Sequence, residues 1–136
     1  MTSAVDAADL IADLLGRGHE VQFRARGDSM HPLIHGDDLL HVVPAHPASI
    51  ARGDVVLTRA ARGLTAHRVL RIDATTLVTR GDNAPADDPP ASFDQLLGRV
   101  AFAERDGRRV RVRRARGIAL TMLRLTTRVV QRLARR

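Results

Sequence analysis

The stretch "TAHRVLRIDATTLVTRGDNAPADD", Thr65 to Asp88, decides how this chain is read. Thr65 to Ile72 and "TLVTR", Thr76 to Arg80, are short runs rich in Val, Leu, Ile and Thr, punctuated by Asp, Gly and Pro, which is the pattern of strands. His67 therefore sits on a rigid mount, and the acids Asp82, Asp87 and Asp88 follow in the loop that leaves the second run. Five further segments read the same way: "EVQFRA" (Glu20 to Ala25), "DLLHVVP" (Asp38 to Pro44), "DVVLTRA" (Asp54 to Ala60), "LGRVAFAER" (Leu97 to Arg105) and "RRVRVRR" (Arg108 to Arg114). Their spacing predicts a mainly β fold, a small barrel or curled sheet.

Helical periodicity appears only at the two ends. In "VDAADLIADLLGRG", Ala7, Leu10, Ile11, Leu14 and Leu15 fall on one face, and Gly16 or Gly18 ends the helix. From Ala115 onward, Ile118, Met122, Leu125, Val129 and Leu133 form one stripe, with Arg124, Arg128, Arg132 and Arg135 beside it. That pattern is a basic amphipathic helix. The expected organisation is an amphipathic helix over 1–18, a β domain over 19–114 and the basic helix over 115–136.

Composition narrows the chemistry. The chain has 136 residues, enough for one compact core, and no cysteine, which removes disulfides and thiolate chemistry. All 22 basic residues are arginine, so no step requiring a lysine amine is available. Residues 1–104 hold ten arginines against fourteen acids, a net of −4, whereas 105–136 hold twelve against one, a net of +11. A mildly acidic body with a basic tail points to contact with an anionic membrane surface through residues 116–136, or to a helix docked on the sheet. Nucleic acid is disfavoured, because the tail offers only Gln131 as a polar base reader and Phe23, Phe93 and Phe102 are expected in the core. No apolar run approaches the ~20 residues of a membrane span, and acids at Asp6, Asp9 and Asp13 stand where a secretory signal carries bases. A cytoplasmic protein is expected, peripheral at the membrane in the case where the tail binds it rather than the sheet.

Upstream lies "ARGDSMHPLIHGDDLL", Ala25 to Leu40. Its Gly, Asp, Ser and Pro residues make a turn, and they leave open what Ser29 is for. Serine becomes a nucleophile when a histidine takes its proton and a carboxylate fixes the imidazole. His67 with Asp82, Asp87 or Asp88 fits those roles, but Ser29 also fits as a turn residue and His67 as a structural histidine. His31 and His35 stand four apart like helical metal ligands, yet Pro32 lies between them, and the acids of "GDNAPADDPP" miss calcium-loop spacing. Neither a metal nor a cofactor is expected.

Segment by segment, the chain resembles the type I signal peptidase family, within the wider group that includes the self-cleaving SOS repressors. Ser29-Met30 with Pro32 and Gly36-Asp37 is similar to the nucleophile box. "GDVVL" (Gly53 to Leu57), "HRVLRI" from His67, "TRGDNAPADD" (Thr79 to Asp88) and "LLGRV" (Leu96 to Val100) resemble the segments that follow it, in order. The closest likeness is to the archaeal and endoplasmic-reticulum type, which uses histidine as base. The resemblance implies a signal-peptidase-type fold and a serine endopeptidase acting on a precursor protein or peptide with small uncharged side chains before the cut. Ser29 would be the nucleophile, His67 the base and Asp88 the orienting acid, with Asp82 a second support or the acid itself. Gly27 stands where the signal peptidases usually place a serine that helps bind the oxyanion; the repressor branch has a glycine there and uses backbone N–H groups. The alternative is a catalytically silent binding or maturation module with the same fold.

Overall fold

The computed structural model describes residues 4–61 and 63–112. The helix expected over 115–136 lies outside the described residues, as do Arg113 and Arg114 of the last predicted strand.

Helix α1 spans Ala4–Gly16. Ala8 and Leu15 are buried, and Ile11 and Leu14 pack against the core. Leu10, expected on the same face, is 58% exposed. Five residues separate it from Leu15, which places it ~140° round the helix from the buried line. The helix ends at Gly18, whose φ of 90° suits a residue without a Cβ. The Gly18 N–H donates to the Leu15 carbonyl at 3.0 Å and the His19 N–H to that of Leu14 at 2.9 Å, which satisfies the last turn.

Eight strands follow: β1 (Val21–Arg24), β2 (Leu39–Pro44), β3 (Val55–Ala60), β4 (Gly63–Ile72), β5 (Thr76–Arg80), β6 (Ala91–Ser92), β7 (Leu96–Arg105) and β8 (Arg108–Val110). They form one antiparallel sheet in the order β1-β2-β7-β3-β4-β5-β6, curled into a half-barrel. Strand β7 carries β2 along one edge, and β3 and then β8 along the other. The predicted strands are present to within two residues at each end except at β8, which ends at Val110, short of the predicted Arg114; Arg111 and Val112 are not in the strand. The two-residue β6 and the 3-10 turns Pro47–Ser49 and Phe93–Gln95 are too short to leave a periodic signal.

The core is split by the sheet. Val55 and Leu57 of β3 join Leu40, Val42, Val100 and Leu15 in one cluster. Val56 joins Ile50, Val69, Leu77 and Leu96 in the other. That two-sided burial explains why "VVL" is apolar without alternation. Gly98 lets β2 and β7 close up, since a Cβ there would lie 2.7 Å from Val42 Cγ1 and from the Val43 carbonyl. Phe23 and Phe93 pack against the two clusters. Phe102, expected in the core, belongs to neither: its ring stacks on His41 at 4.1 Å and lies 4.0 Å beneath the Arg109 guanidinium. Its register opposite His41 on the polar face of β2 dictates that position. Among the described residues, no helix is long and apolar enough to cross a membrane.

Strand β4 is ten residues long, but its two halves differ. Gly63 to Arg68 pair with β3, while β5 pairs only from Arg68 onward. Among the described residues, one edge of residues 63–67 is thus not paired within the sheet, and neither is the outer edge of β1. The half-barrel leaves a seam between these two edges.

Asp38 closes the segment between β1 and β2. It is buried and accepts two bonds from Arg105 of β7, at 2.9 and 2.7 Å, and one from the His35 N–H at 2.8 Å. Chiefly through the Arg105 hydrogen bonds, its pKa is held below 3.8 despite burial. A carboxyl whose pKa is lowered by folding stabilises the fold above its unfolded value, and that contribution is lost as pH falls through the folded value. Asp38→Asn should therefore unfold at lower urea than the natural chain at pH 7, and the gap should narrow below pH 3.8, as read by urea titration at the two pH values.

Candidate active site

Ser29 lies in the segment that crosses from β1 to β2. Ala25 and Asp37 clamp its ends through the bonds Ala25 N–H to Asp38 O and Asp37 N–H to Ala25 O, at 2.8 and 2.9 Å. Met30 and Ile34 drive into the core, 5% and 3% exposed, and fix the turn beside them. The His31–Pro32 peptide is cis. Ser29 is left half-buried, between the buried Met30 and the exposed Asp28.

His67 approaches from β4 with its side chain 13% exposed. Its Nε2 is 3.0 Å from Ser29 Oγ, and its Nδ1 is 2.6 Å from Asp88 Oδ2. The same carboxylate oxygen accepts the Thr79 hydroxyl at 2.7 Å, and the Asp88 N–H donates to the Thr79 carbonyl at 2.8 Å. Asp88 is thereby held at both its main chain and its side chain. With Nδ1–H donating to Asp88, Nε2 is the acceptor facing Ser29.

The two acids that the sequence left open take different places. Asp88 reaches His67, whereas Asp82 accepts from Arg68 Nε and NH2 at 2.8 and 2.6 Å. Both side chains of that pair are buried, at 6% and 7% exposure. Arg68 follows His67 on the strand and points to its other face. It also donates to the carbonyls of Gly53 and Val112, at 2.8 and 2.7 Å. Asp87 lies 3.8 Å from Arg80 at the exposed surface.

Gly81 makes the approach possible. A Cβ there would lie 2.6 Å from the Ser29 carbonyl oxygen, 3.1 Å from His67 Nε2 and 3.2 Å from Ser29 Cβ. The next-but-one residue, Asn83, donates its N–H to that Ser29 carbonyl at 2.8 Å and its Nδ2 to the Asp28 carbonyl at 3.2 Å. The acid loop and the serine turn therefore lock to each other. Sequence reasoning missed Gly81, Asn83, Thr79 and Arg68. The available signal was Arg68 itself, a charge beside Val69 within an apolar strand, which demands a buried partner.

A groove of about 730 Å³ ends at this pair. Met30, Leu57 and Ala66 line it, along with Ala8 and Ile11 of α1. His31 and His35 stack on each other with ring centroids 4.5 Å apart, and His35 Nε2 lies 3.0 Å from the Pro32 carbonyl. Among the described residues, no group of three or more potential metal ligands converges.

No protein-family model matches the chain, and no curated protein matches it either.

These contacts separate the two acids experimentally. A proton shared between His67 and Asp88 should give a low-field NMR resonance that Asp88→Ala abolishes and Asp82→Asn retains. Asp82→Asn should instead cost about 3 kcal/mol of stability, the usual scale for stranding one partner of a buried ion pair, as read by denaturant unfolding.

Proposed function

We propose that the chain is a serine endopeptidase of the type I signal peptidase kind, cutting a precursor protein or peptide through an acyl-enzyme. The observation that carries this is His67, which joins Ser29 on one nitrogen and Asp88 on the other in the lining of a largely apolar groove. The ordered resemblance of the surrounding segments agrees with it.

In the proposed reaction, His67 Nε2 takes the Ser29 hydroxyl proton as Oγ bonds to the substrate carbonyl carbon. The imidazolium then gives that proton to the departing amine nitrogen, and the C–N bond breaks. Water attacks the ester in the same way, returning its proton through Nε2 and restoring Ser29. Asp88 holds the imidazole in the required tautomer and stabilises its positive charge. Gly27 has no hydroxyl, so the oxyanion falls to backbone N–H groups of the turn. Asp28 is exposed, so water screens its charge. The seam between β1 and residues 63–67 of β4 supports binding of the peptide as an added strand, with small side chains against the Ala66 and Leu57 wall.

Ser29→Ala and His67→Ala should abolish cleavage, and Asp88→Asn should lower kcat by about 10³–10⁴. Peptide cleavage that survives both of the first two substitutions would refute the assignment. Stoichiometric labelling of Ser29 by a fluorophosphonate separates an enzyme from a silent module of the same fold. Gly81→Ala should cost about 100-fold in kcat, since the added carbon displaces Ser29 from His67.

A further inference from the structure

The groove's apolar lining is edged by charge of one sign. Arg24, the last residue of β1, and Arg26, two residues beyond it, line the groove, as does Arg59 near the end of β3. No carboxylate lines the groove among the described residues. Arg59 is paired with Asp9 of α1. Arg24 spends one N–H on the Asp37 carbonyl at 3.1 Å, a bond that leaves its charge uncompensated. Arg26 is exposed and has no ion-pair partner among the described residues. Among the described residues, the groove thus carries at least two guanidinium groups in no ion pair, next to largely apolar walls.

We propose that the preferred ligand of this groove is a peptide bearing a carboxylate side chain three to five residues from the bond at Ser29. This rests on the peptidase reading for the cut, though not for the binding. The distance follows from the chain: Arg26 and Arg24 precede Ser29 by three and five residues, up to ~10 and ~16 Å of extended backbone. A peptide laid as a strand along β1 keeps step with it. Alternate side chains of such a strand point to opposite sides, so a small residue on the Ala66 wall leaves its neighbour facing the arginines. Guanidinium matches carboxylate in a two-point geometry that a neutral amide does not reproduce.

The test measures binding to the full chain carrying Ser29→Ala, which holds peptide without cutting it. The probes are three labelled peptides with Ala before the cut and at alternate positions, and Glu, Gln or Lys four residues from the cut. The Glu peptide should bind at least about fivefold tighter than the Gln peptide, with the Lys peptide weakest, as expected for partly exposed ion pairs. The C-terminal arginines attract any polyanion, so the decisive comparison adds Arg24→Gln and Arg26→Gln, or Arg26→Gln alone if the double variant melts early. The Glu-to-Gln ratio should then fall toward one. Equal affinity for Glu and Gln, or a ratio unchanged in the variant, overturns the proposal. An oligonucleotide that displaces the peptide and loses its own binding in the variant overturns it in favour of nucleic acid. If the preference holds while the natural chain cuts none of the peptides, the acidic-ligand inference stands and the peptidase reading fails.

Discussion

The buried guanidinium of Arg68 is the constraint on which the site depends. A charge 6% exposed costs several kcal/mol unless its hydrogen-bonding capacity is met, and here it is met by Asp82, Gly53 and Val112. Those partners come from the acid loop, the turn before β3 and the end of the described chain. One side chain thus ties three stretches to β4, the strand that also carries His67. Because consecutive strand residues face opposite ways, the anchor lies behind the histidine and leaves its ring clear.

Once the loop's start is tied by Asp82, its remaining course follows from local bonds. Asn83 seizes the Ser29 carbonyl, and the Asp88 main chain returns to Thr79. Between these points the loop has little freedom left, and the carboxylate arrives at Nδ1 already oriented. The serine turn is held from below by Met30 and Ile34 and from its far end by Asp38 on Arg105. The serine and the acid are on loops, the histidine is on a strand, and the loops are fixed to the strand and to each other. Such fixing lowers the entropy cost of holding the three side chains in one geometry.

The incomplete barrel gives the arrangement its access. Closing the sheet would bury Ser29, whereas the seam between β1 and β4 leaves two edges of main-chain donors and acceptors beside it. Helix α1 contributes Ala8 and Ile11 to the groove and is joined to β3 by the Asp9–Arg59 pair, so the groove has a side wall without losing its mouth.

The sequence by itself determined the strands and singled out Ser29, His67 and Asp88, which the structure brings together. Strand formation is local, legible in β-branched runs broken by Asp, Gly and Pro, and a histidine keeps its strand whatever the sheet does around it. With no lysine in the chain, histidine was the candidate partner for Ser29, and the strand that carries His67 was legible. Periodicity misjudged Leu10 and Phe102, because it records which residues are apolar and not which faces the sheet covers. Asp82 and Asp88 are chemically identical and six residues apart in one loop, and no local rule separates them. Only the tertiary structure did so, since Arg68 had to be neutralised on one side of β4 and His67 met on the other. Gly81 likewise reads in sequence as a turn residue, and its purpose appears only where Ser29 and His67 close to within a side chain's width of it.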